Sequence, residues 1–290
     1  MKYADLYRKG KETLYRVGIA ESELDARLLL EYICHTDRND LLVHGDREVS
    51  SEDESKYLEW INKRASHIPL QYITGVQEFM GLEFDVNEHV LIPRQDTEIL
   101  VEEIMKDLHD GTRILDMCTG SGCILISLLS FSNDCEGVGV DISTDALDVA
   151  KSNADKLLSL KQDATKFSFV ASDLFACFYD IVEKGEEVEK FDVIVSNPPY
   201  ICSDVIPTLM EEVRLYEPIR ALDGAEDGLF FYRKITEQSR RFLQSGGKLF
   251  YEIGYDQGEA VKEIMEASGF KDIKVVKDFA GLDRVVYGRL

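Results

Sequence analysis

The chain has 290 residues, of which 44% are hydrophobic and 30% are charged. This length and composition are typical of one or two folded domains, and they exclude a disordered chain or a small disulfide-stapled protein. Lys and Arg number 33 against 55 Asp and Glu, which gives a net charge of −22. A protein that holds a phosphate backbone by itself is expected to be basic, so this charge disfavours a direct nucleic-acid binder.

The cysteines and histidines carry no sign of a metal site. The six cysteines are scattered singly, which is typical of reduced thiols in the cytosol. The five histidines form no ligand motif, so we expect no metal. The first residues lack the apolar run of a signal peptide, and no stretch approaches the ~18 apolar residues of a membrane span. The sequence therefore predicts a cytoplasmic protein with no membrane partner.

The N-terminal quarter of the chain has a helical pattern. Apolar residues recur at three- and four-residue spacing over residues 3–66, which predicts several helices. Ser22 and Ser51 each stand three residues before an acidic residue, a pattern typical of the N-cap of a helix. We therefore expect a helical N-terminal domain over residues 1–75.

A short β pattern follows the helices. Pro69 ends the helical periodicity, and residues 82–86 alternate between apolar and polar side chains. The apolar run at 90–92 then suggests the returning strand, with the turn at 87–89. The sequence therefore predicts a β-hairpin linker over residues 76–93.

Strand and helix patterns alternate through the rest of the chain, which predicts parallel βαβ units. The last two strands are joined by a connection too short for a helical crossover, so the final strand must be antiparallel. We therefore expect residues 94–290 to form the α/β fold of a class I methyltransferase, with a Rossmann-like sheet. Its seven predicted strands are 112–115, 137–140, 167–170, 191–195, 248–253, 273–276 and 284–288.

A glycine-rich turn follows the first strand of this sheet. Gly120 and Gly122 let the backbone approach a ligand just before a helix begins, where backbone amides face the crevice. Leu125 occupies the third glycine position of the dinucleotide fingerprint, so the turn departs from that motif. By itself the turn leaves open a tight strand-to-helix connection that binds nothing.

Three carboxylates end the first three strands of the sheet, at Asp116, Asp141 and Asp173. At this edge they suit ribose hydroxyls and the exocyclic amine of adenine. Asp141 by itself could instead cap the following helix. Together the three predict a nucleoside site with no place for phosphates.

The fourth strand ends in Asn197-Pro198-Pro199-Tyr200, the most specific signal in the chain. Two prolines make the loop rigid and remove backbone donors. The Asn197 side-chain oxygen and the Pro198 carbonyl can accept both hydrogens of a planar NH2 group, while the Tyr200 ring covers its face. The alternative is a proline-rich turn without a function.

This run resembles the signature of amino-methyltransferases that use S-adenosylmethionine and act on adenine in DNA or on glutamine in proteins. From Pro69 onward the chain resembles the PrmC/HemK family of release-factor glutamine N5-methyltransferases. The motifs that carry this resemblance are Pro69-x-Gln71-Tyr72-Ile73-x-Gly75, Phe79-x-Gly81-Leu82-x-Phe84-x-Val86, Val90-Leu91-Ile92-Pro93-Arg94-x-x-Thr97-Glu98, Asp116-x-x-Thr119-Gly120-Ser121-Gly122-Cys123-Ile124 and Asp223-Gly224-x-x-Asp227-Gly228-Leu229.

The resemblance implies methyl transfer from S-adenosylmethionine to the side-chain amide nitrogen of the glutamine in the Gly-Gly-Gln motif of class 1 peptide chain release factors. It implies cofactor contacts from Asp116, Cys118, Thr119, Gly120, Ser121, Gly122, Asp141, Asp173, Leu174 and Asn197. It implies substrate contacts from Asn197, Pro198, Pro199 and Tyr200, with Asn197, Pro198 and Tyr200 in catalytic roles. The resemblance also implies that the N-terminal domain, residues 1–75, recognises the substrate. We expect the enzyme to be a monomer whose partners are these release factors.

Two positions depart from the family pattern. Cys118 stands where the first glycine is frequent, and Gln95 stands where proline is frequent. Arg94 either anchors the hairpin or touches the substrate. Two other functions stay open: methylation of an exocyclic amine in nucleic acid, which the charge disfavours, and a release-factor-binding module with little activity, which the intact Asn197 motif disfavours.

Overall fold

The computed structural model describes residues 1–159 and 166–290. The chain divides into two compact units, Met1–Val76 with Met210–Tyr216, and Gln77–Leu209 with Glu217–Leu290. This division groups the hairpin with the sheet and a short later segment with the N-terminal helices. The domain limits at residues 75 and 93 stay predictions of the sequence.

The N-terminal unit is built from helices that bury one apolar face each. Its core contains the side chains of Leu6, Leu14, Leu29, Tyr57 and Ile61, each at most 1% exposed. Burial of one such side chain contributes about 2 kcal/mol. The helices are α1 (Tyr3–Arg16), α2 (Ser22–Cys34), α3 (Arg38–Val43), α4 (Ser51–Ala65) and α5 (Leu70–Thr74).

The two N-caps predicted in this unit are wrong by one position. Helix α4 is capped by Ser50, whose side chain accepts a hydrogen bond from the Asp53 amide at 3.0 Å. Ser22 is the first residue of α2 rather than its cap. Asp25, three residues after Ser22, is buried and forms an ion pair with Arg64. The spacing of Ser22 and Asp25 therefore does not mark a helix cap.

The hairpin is present, but its predicted turn and second strand are wrong. Strands β1 (Val76–Phe79) and β2 (Leu82–Asp85) pair through the two-residue turn Met80-Gly81. Both turn residues have positive φ, 54° and 71°, as the turn type that suits a tight hairpin requires. Residues 90–92 form no strand; Val90 and Ile92 are buried in an irregular connection.

The second unit contains the predicted seven-stranded sheet. Its strands are β3 (Arg113–Met117), β4 (Glu136–Asp141), β5 (Lys166–Ala171), β6 (Phe191–Ser196), β7 (Leu243–Glu252), β8 (Lys271–Lys277) and β9 (Asp283–Arg289). They lie in the order β5-β4-β3-β6-β7-β9-β8. β9 is antiparallel to both of its neighbours and the other pairings are parallel, which confirms the class I methyltransferase fold.

The helices after the hairpin are α6 (Gln95–Met105), α7 (Cys123–Phe131), α8 (Thr144–Leu158), α9 (Ala176–Glu183), α10 (Glu211–Tyr216), α11 (Ile219–Leu222), α12 (Phe230–Phe242) and α13 (Gly258–Ala267). Those that cover the sheet form two apolar cores, one from α6, α7 and α8, the other from α9, α12 and α13. Consecutive strand residues alternate between these cores, as the pleat requires: Phe250 lies in the first and Tyr251 in the second.

The segment that contains α10 belongs to the N-terminal unit through a buried ion cluster. Arg64 Nε donates to Asp25 at 2.7 Å, and its Nη2 donates to Glu212 at 2.5 Å. Tyr216 Oη donates to the Ser66 carbonyl at 2.6 Å. The Arg64 side chain is only 7% exposed, so these carboxylates compensate a buried charge.

Candidate functional site

The strand order places a crevice at the carboxyl ends of the parallel strands. The chain leaves β3 toward β4 on one side and returns to β6 on the other, and such a reversal opens a binding site at this edge. A cavity of about 710 Å³ lies here, within the usual size of small-molecule sites. Among the predicted site residues it is lined by Cys118, Thr119, Gly120, Ser121, Asp141, Asp173, Leu174, Asn197 and Pro199.

The turn between β3 and α7 forms the floor of this cavity. Cys118, Gly120 and Gly122 all have left-handed backbone, with φ of 64°, 56° and 80°. A Cβ on Gly120 would meet nothing within 4 Å, so the backbone here faces open space. Gly122 caps α7 and packs against its side chains. Cys118 therefore adopts a conformation that favours glycine, which is the residue frequent in the family.

Asp141 links the ends of two strands. Its Oδ2 accepts from the Gly120 amide at 2.9 Å and its Oδ1 accepts from the Ser143 amide at 2.9 Å. Helix α8 is capped by Ser143 instead, so Asp141 is not the helix cap. Burial raises the pKa of Asp141 above its ordinary value. The carboxylate keeps acceptor capacity beyond these backbone partners, which suits a hydroxyl donor in the cavity.

Of the predicted cofactor contacts, Asp116 and Gly122 are not among the described residues that line the cavity. Asp116 is fully buried, and Thr119 Oγ1 donates to its Oδ2 at 2.6 Å. Burial raises the pKa of Asp116 to about 7. Among the described residues that line the cavity, Thr119 is present and Asp116 is absent. The geometry thus gives Asp116 a place beneath the turn, where it orients Thr119.

The Asn197-Pro198-Pro199-Tyr200 loop, here called the NPPY loop, contributes Asn197 and Pro199 to the cavity wall. Pro198 is buried, and Tyr200 Oη donates to Glu252 Oε1 at 3.4 Å. Neither Pro198 nor Tyr200 is among the described cavity-lining residues. Their contacts with a substrate therefore stay predictions.

The Asp223-Gly224-x-x-Asp227-Gly228 motif packs against the backbone of this loop. A Cβ on Gly224 would lie 2.7 Å from Tyr200 Cα, and one on Gly228 would lie 2.4 Å from the Tyr200 carbonyl oxygen. Gln257 Nε2 donates to that carbonyl at 3.0 Å. The motif thus requires glycine because two backbones approach closely.

Two residues support the NPPY loop from behind, Thr97 on α6 and Glu252 at the end of β7. The sequence placed Thr97 in a family motif without a role and did not single out Glu252. Thr97 Oγ1 donates to Glu252 Oε2 at 2.5 Å, and Asn197 Nδ2 donates to Thr97 Oγ1 at 3.4 Å. Burial raises the pKa of Glu252 to about 7, while Thr97 and Arg284 favour its charged form. Glu252 follows a buried apolar run at a strand end, the same signal that identified Asp141.

Arg94, whose role the sequence left open, lines the cavity and pairs with Glu217. Its Nη2 lies 2.5 Å from Glu217 Oε1, and the Glu217 side chain is only 1% exposed. The pairing holds the connection before α6 against the connection before α11. Arg94 is thus anchored within the second unit while it faces the cavity.

No three His, Cys, Asp or Glu side chains form a metal-binding group within residues 1–159 and 166–290. Across the same residues, no helix has both the length and the apolarity needed to cross a membrane.

Comparisons with known proteins cover nearly the whole chain. Residues 5–75 match the family model of the PrmC N-terminal domain, and residues 108–277 match that of a methyltransferase domain. A release factor glutamine methyltransferase from Clostridium acetobutylicum is 44% identical over 289 residues, which cover 99% of this chain and 98% of the relative. One from Clostridium botulinum is 42% identical over 287 residues, with 98% of each chain covered.

Solved structures show the same fold at low identity. A structure described as an S-adenosylmethionine-dependent methyltransferase from Streptococcus mutans is 11% identical, with a TM-score of 0.51. The match covers 74% of this chain and 55% of the Streptococcus mutans chain. This likeness concerns the fold alone.

Proposed function

The chain belongs to the release factor glutamine methyltransferase family, and we propose that it methylates the side-chain amide nitrogen (N5) of the glutamine in the Gly-Gly-Gln motif of class 1 peptide chain release factors. The observation that carries this proposal is one cavity lined by both the glycine turn and Asn197 of the NPPY loop. The glycine turn suits a nucleoside, and Asn197 suits a planar NH2 group. A methyl group can pass from the nucleoside cofactor to the NH2 group only if both ligands bind in one cavity.

The cavity residues fit S-adenosylmethionine, which would supply a methyl group activated on a sulfonium sulfur. Asp141 keeps acceptor capacity for ribose hydroxyls, and the open space over Gly120 admits a ligand against the backbone. Asp173 and Leu174 border the same cavity, where we place the adenine. Met117 and Ile124 add apolar wall.

The chain's own residues would orient a poor nucleophile. A carboxamide nitrogen shares its lone pair with the carbonyl group, so it must be held in line with the methyl group. Asn197 Oδ1 and the Pro198 carbonyl would accept hydrogen bonds from its two N–H groups and stabilise the positive charge that develops on nitrogen while the carbon–sulfur bond breaks. The methylated nitrogen would then lose one of these hydrogens as a proton to water, and the cofactor would leave as a thioether. Such orientation reduces barriers by about 7–11 kcal/mol in well-aligned systems. No covalent enzyme intermediate is needed.

We further propose that class 1 release factors are its protein partners, that the enzyme acts as a cytoplasmic monomer, and that it binds neither nucleic acid nor membrane directly. The net charge of −22 supports the exclusion of bare nucleic acid.

We predict that Asn197→Ala lowers kcat by at least about a hundredfold, the usual effect of removing one preorganised polar group at a reacting centre. Binding of S-adenosylmethionine should change little, because the glycine turn and Asp141 remain. The measurement is mass spectrometry of release-factor peptides for one added methyl group, with calorimetry of cofactor binding. Asn133→Ala, at an exposed position, is the control and should behave as the wild type.

The same assay separates the proposed substrate from others. A release factor with its motif glutamine replaced should gain no methyl group, and duplex DNA should gain none. Methylation of the DNA and not of the release factor would contradict the proposed function.

A further inference from the structure

The orientation of the Asn197 carboxamide decides what this side chain offers to the cavity. With Oδ1 toward the cavity it accepts hydrogens from a substrate NH2 group, whereas a flipped group presents its own hydrogens and repels that substrate. The proposed function, on which this inference rests, requires the acceptor. The protein must therefore distinguish the two ends of the carboxamide.

Thr97 distinguishes the two ends of the carboxamide because its hydroxyl group has a single hydrogen. A hydroxyl group has one hydrogen to donate, and Thr97 Oγ1 lies 2.5 Å from Glu252 Oε2, so the hydrogen goes to the carboxylate. The Thr97 oxygen is then an acceptor, and Asn197 Nδ2 lies 3.4 Å from it. The nitrogen end of the carboxamide is thereby assigned to Thr97, and Oδ1 points elsewhere.

We propose that Thr97 and Glu252 are positioning residues, which act through Asn197 and hold its Oδ1 toward the substrate amide. The same carboxylate receives Tyr200 Oη on its other oxygen at 3.4 Å. One buried side chain therefore holds both polar side chains of the NPPY loop.

The hydrogen-bond chain from Asn197 through Thr97 to Glu252 depends on the ionised form of Glu252. A protonated carboxyl group can donate to Thr97, which frees the Thr97 hydrogen for Asn197 Oδ1 and favours the flipped amide. Glu252 is 1% exposed, and burial raises its pKa to about 7. The titratable and charged groups that face it from the elements packed around it are Asp96 on α6, Cys123 on α7, Tyr200 after β6, Tyr232 on α12 and Arg284 on β9.

Burial is the main cause of the raised pKa of Glu252, and these neighbours modify it. Arg284 favours the charged carboxylate and Asp96 opposes it. Tyr232 Oη donates to the Glu252 backbone carbonyl at 3.0 Å rather than to its carboxylate. Only Thr97 and Tyr200 donate hydrogen bonds to the carboxylate oxygens among the described residues. We expect kcat to fall as pH decreases through about 7, and this acidic limb should disappear in Glu252→Gln.

The first test compares Thr97→Val with Thr97→Ser. Valine removes the hydroxyl at nearly equal volume, and serine keeps it. We expect Thr97→Val to lower kcat by about tenfold to a hundredfold, the size of effect that misplacement of a reacting group produces, with little change in KM for the release factor. Thr97→Ser should restore most of the activity. Equal losses in both variants, or an unchanged kcat in Thr97→Val, would overturn the proposal.

The second test needs no turnover. With the asparagine side chains labelled by ¹⁵N, the Asn197 NH2 signal is identified by its loss in Asn197→Ala. We expect this signal to titrate with a midpoint near 7 in the wild type and in Thr97→Ser. It should not titrate in Glu252→Gln, which also serves if Thr97→Val does not fold. A wild-type signal that does not titrate would contradict the positioning role.

The two tests keep this inference apart from the proposed function. If the wild type methylates no release factor, the proposed function fails, and the NMR titration still decides whether Thr97 and Glu252 orient Asn197.

Discussion

Gly120 and Gly122 have the same backbone requirement and different surroundings. Both adopt left-handed backbone. A Cβ on Gly120 would enter open space, while one on Gly122 would lie 2.8 Å from Cδ1 of Ile126 and 3.3 Å from Cβ of Ala150. Since Gly120 also lines the cavity, the space above it is open to that cavity, and the space above Gly122 is filled by the protein.

We therefore predict different effects of Gly120→Ala and Gly122→Ala. Both carry the left-handed backbone cost of about 1–2 kcal/mol. Gly122→Ala adds overpacking of about 1–3 kcal/mol and should lose more stability in chemical denaturation. Gly120→Ala should instead weaken S-adenosylmethionine binding by about tenfold, a loss of roughly 1.4 kcal/mol in calorimetry. Unchanged binding in Gly120→Ala would argue against a ligand above this turn.

At the scale of elements, the NPPY loop is held by segments that are distant in the chain. The Ile201 amide donates to the Leu222 carbonyl at 3.0 Å, and the Gly224 amide donates back to the Ile201 carbonyl at 2.8 Å. Gln257, just before α13, joins Tyr200 to Gly228 through its side chain. The loop that carries Asn197 is therefore rigid because of its neighbours as well as its prolines.

Gly228→Ala should disturb this support. The added Cβ would lie 2.4 Å from the Tyr200 carbonyl oxygen, so the NPPY loop must move. We expect kcat to fall by about a hundredfold, since displacement by about 1 Å has that effect. The matched control is Gly281→Ala in the turn between β8 and β9, where φ is also positive and nothing lies within 4 Å. If the two variants lose equal activity, the close approach does not matter.

At the scale of the whole molecule, charge and buried acids set the response to pH. Residues 1–75 carry 11 basic and 14 acidic side chains, so the remaining residues carry 22 and 41. This acidity suits attraction of a cationic cofactor. Within the sheet unit, burial raises the pKa of Asp116 and of Glu252 to about 7, from ordinary values of 3.8 and 4.5.

The folded state therefore binds more protons at Glu252 than the unfolded state between pH 4.5 and about 7. Stability contributed by this group increases as pH falls through that window and decreases as pH rises through it. Glu252→Gln should remove this contribution, which is on the order of 3 kcal/mol across the window. The measurement is the free energy of unfolding from pH 4.5 to 8. Parallel curves for wild type and variant would show that Glu252 does not titrate near 7.

Residues whose role depends on the local backbone conformation were predictable from the sequence. The prolines of the NPPY loop, the glycines of the turn and the acids at strand ends act through local geometry, so Asn197 and Asp141 were found. The hairpin turn was misplaced because residues 90–92 are as apolar as a strand. Val90 and Ile92 are buried and Leu91 is half-buried, yet these residues form no strand, because apolar periodicity reports burial only.

The sequence by itself determined the helical N-terminal region and the α/β region that follows it, through periodicity. Connection length determined the antiparallel last strand, and the backbone restriction of the prolines identified the NPPY loop. All three are local properties of the chain. Only the tertiary structure decided which side chains meet Asn197. Thr97 and Glu252 are 155 residues apart in the chain, and their hydrogen bond exists because α6 packs beside the end of β7. Such a contact follows from packing of distant elements, which no local pattern encodes.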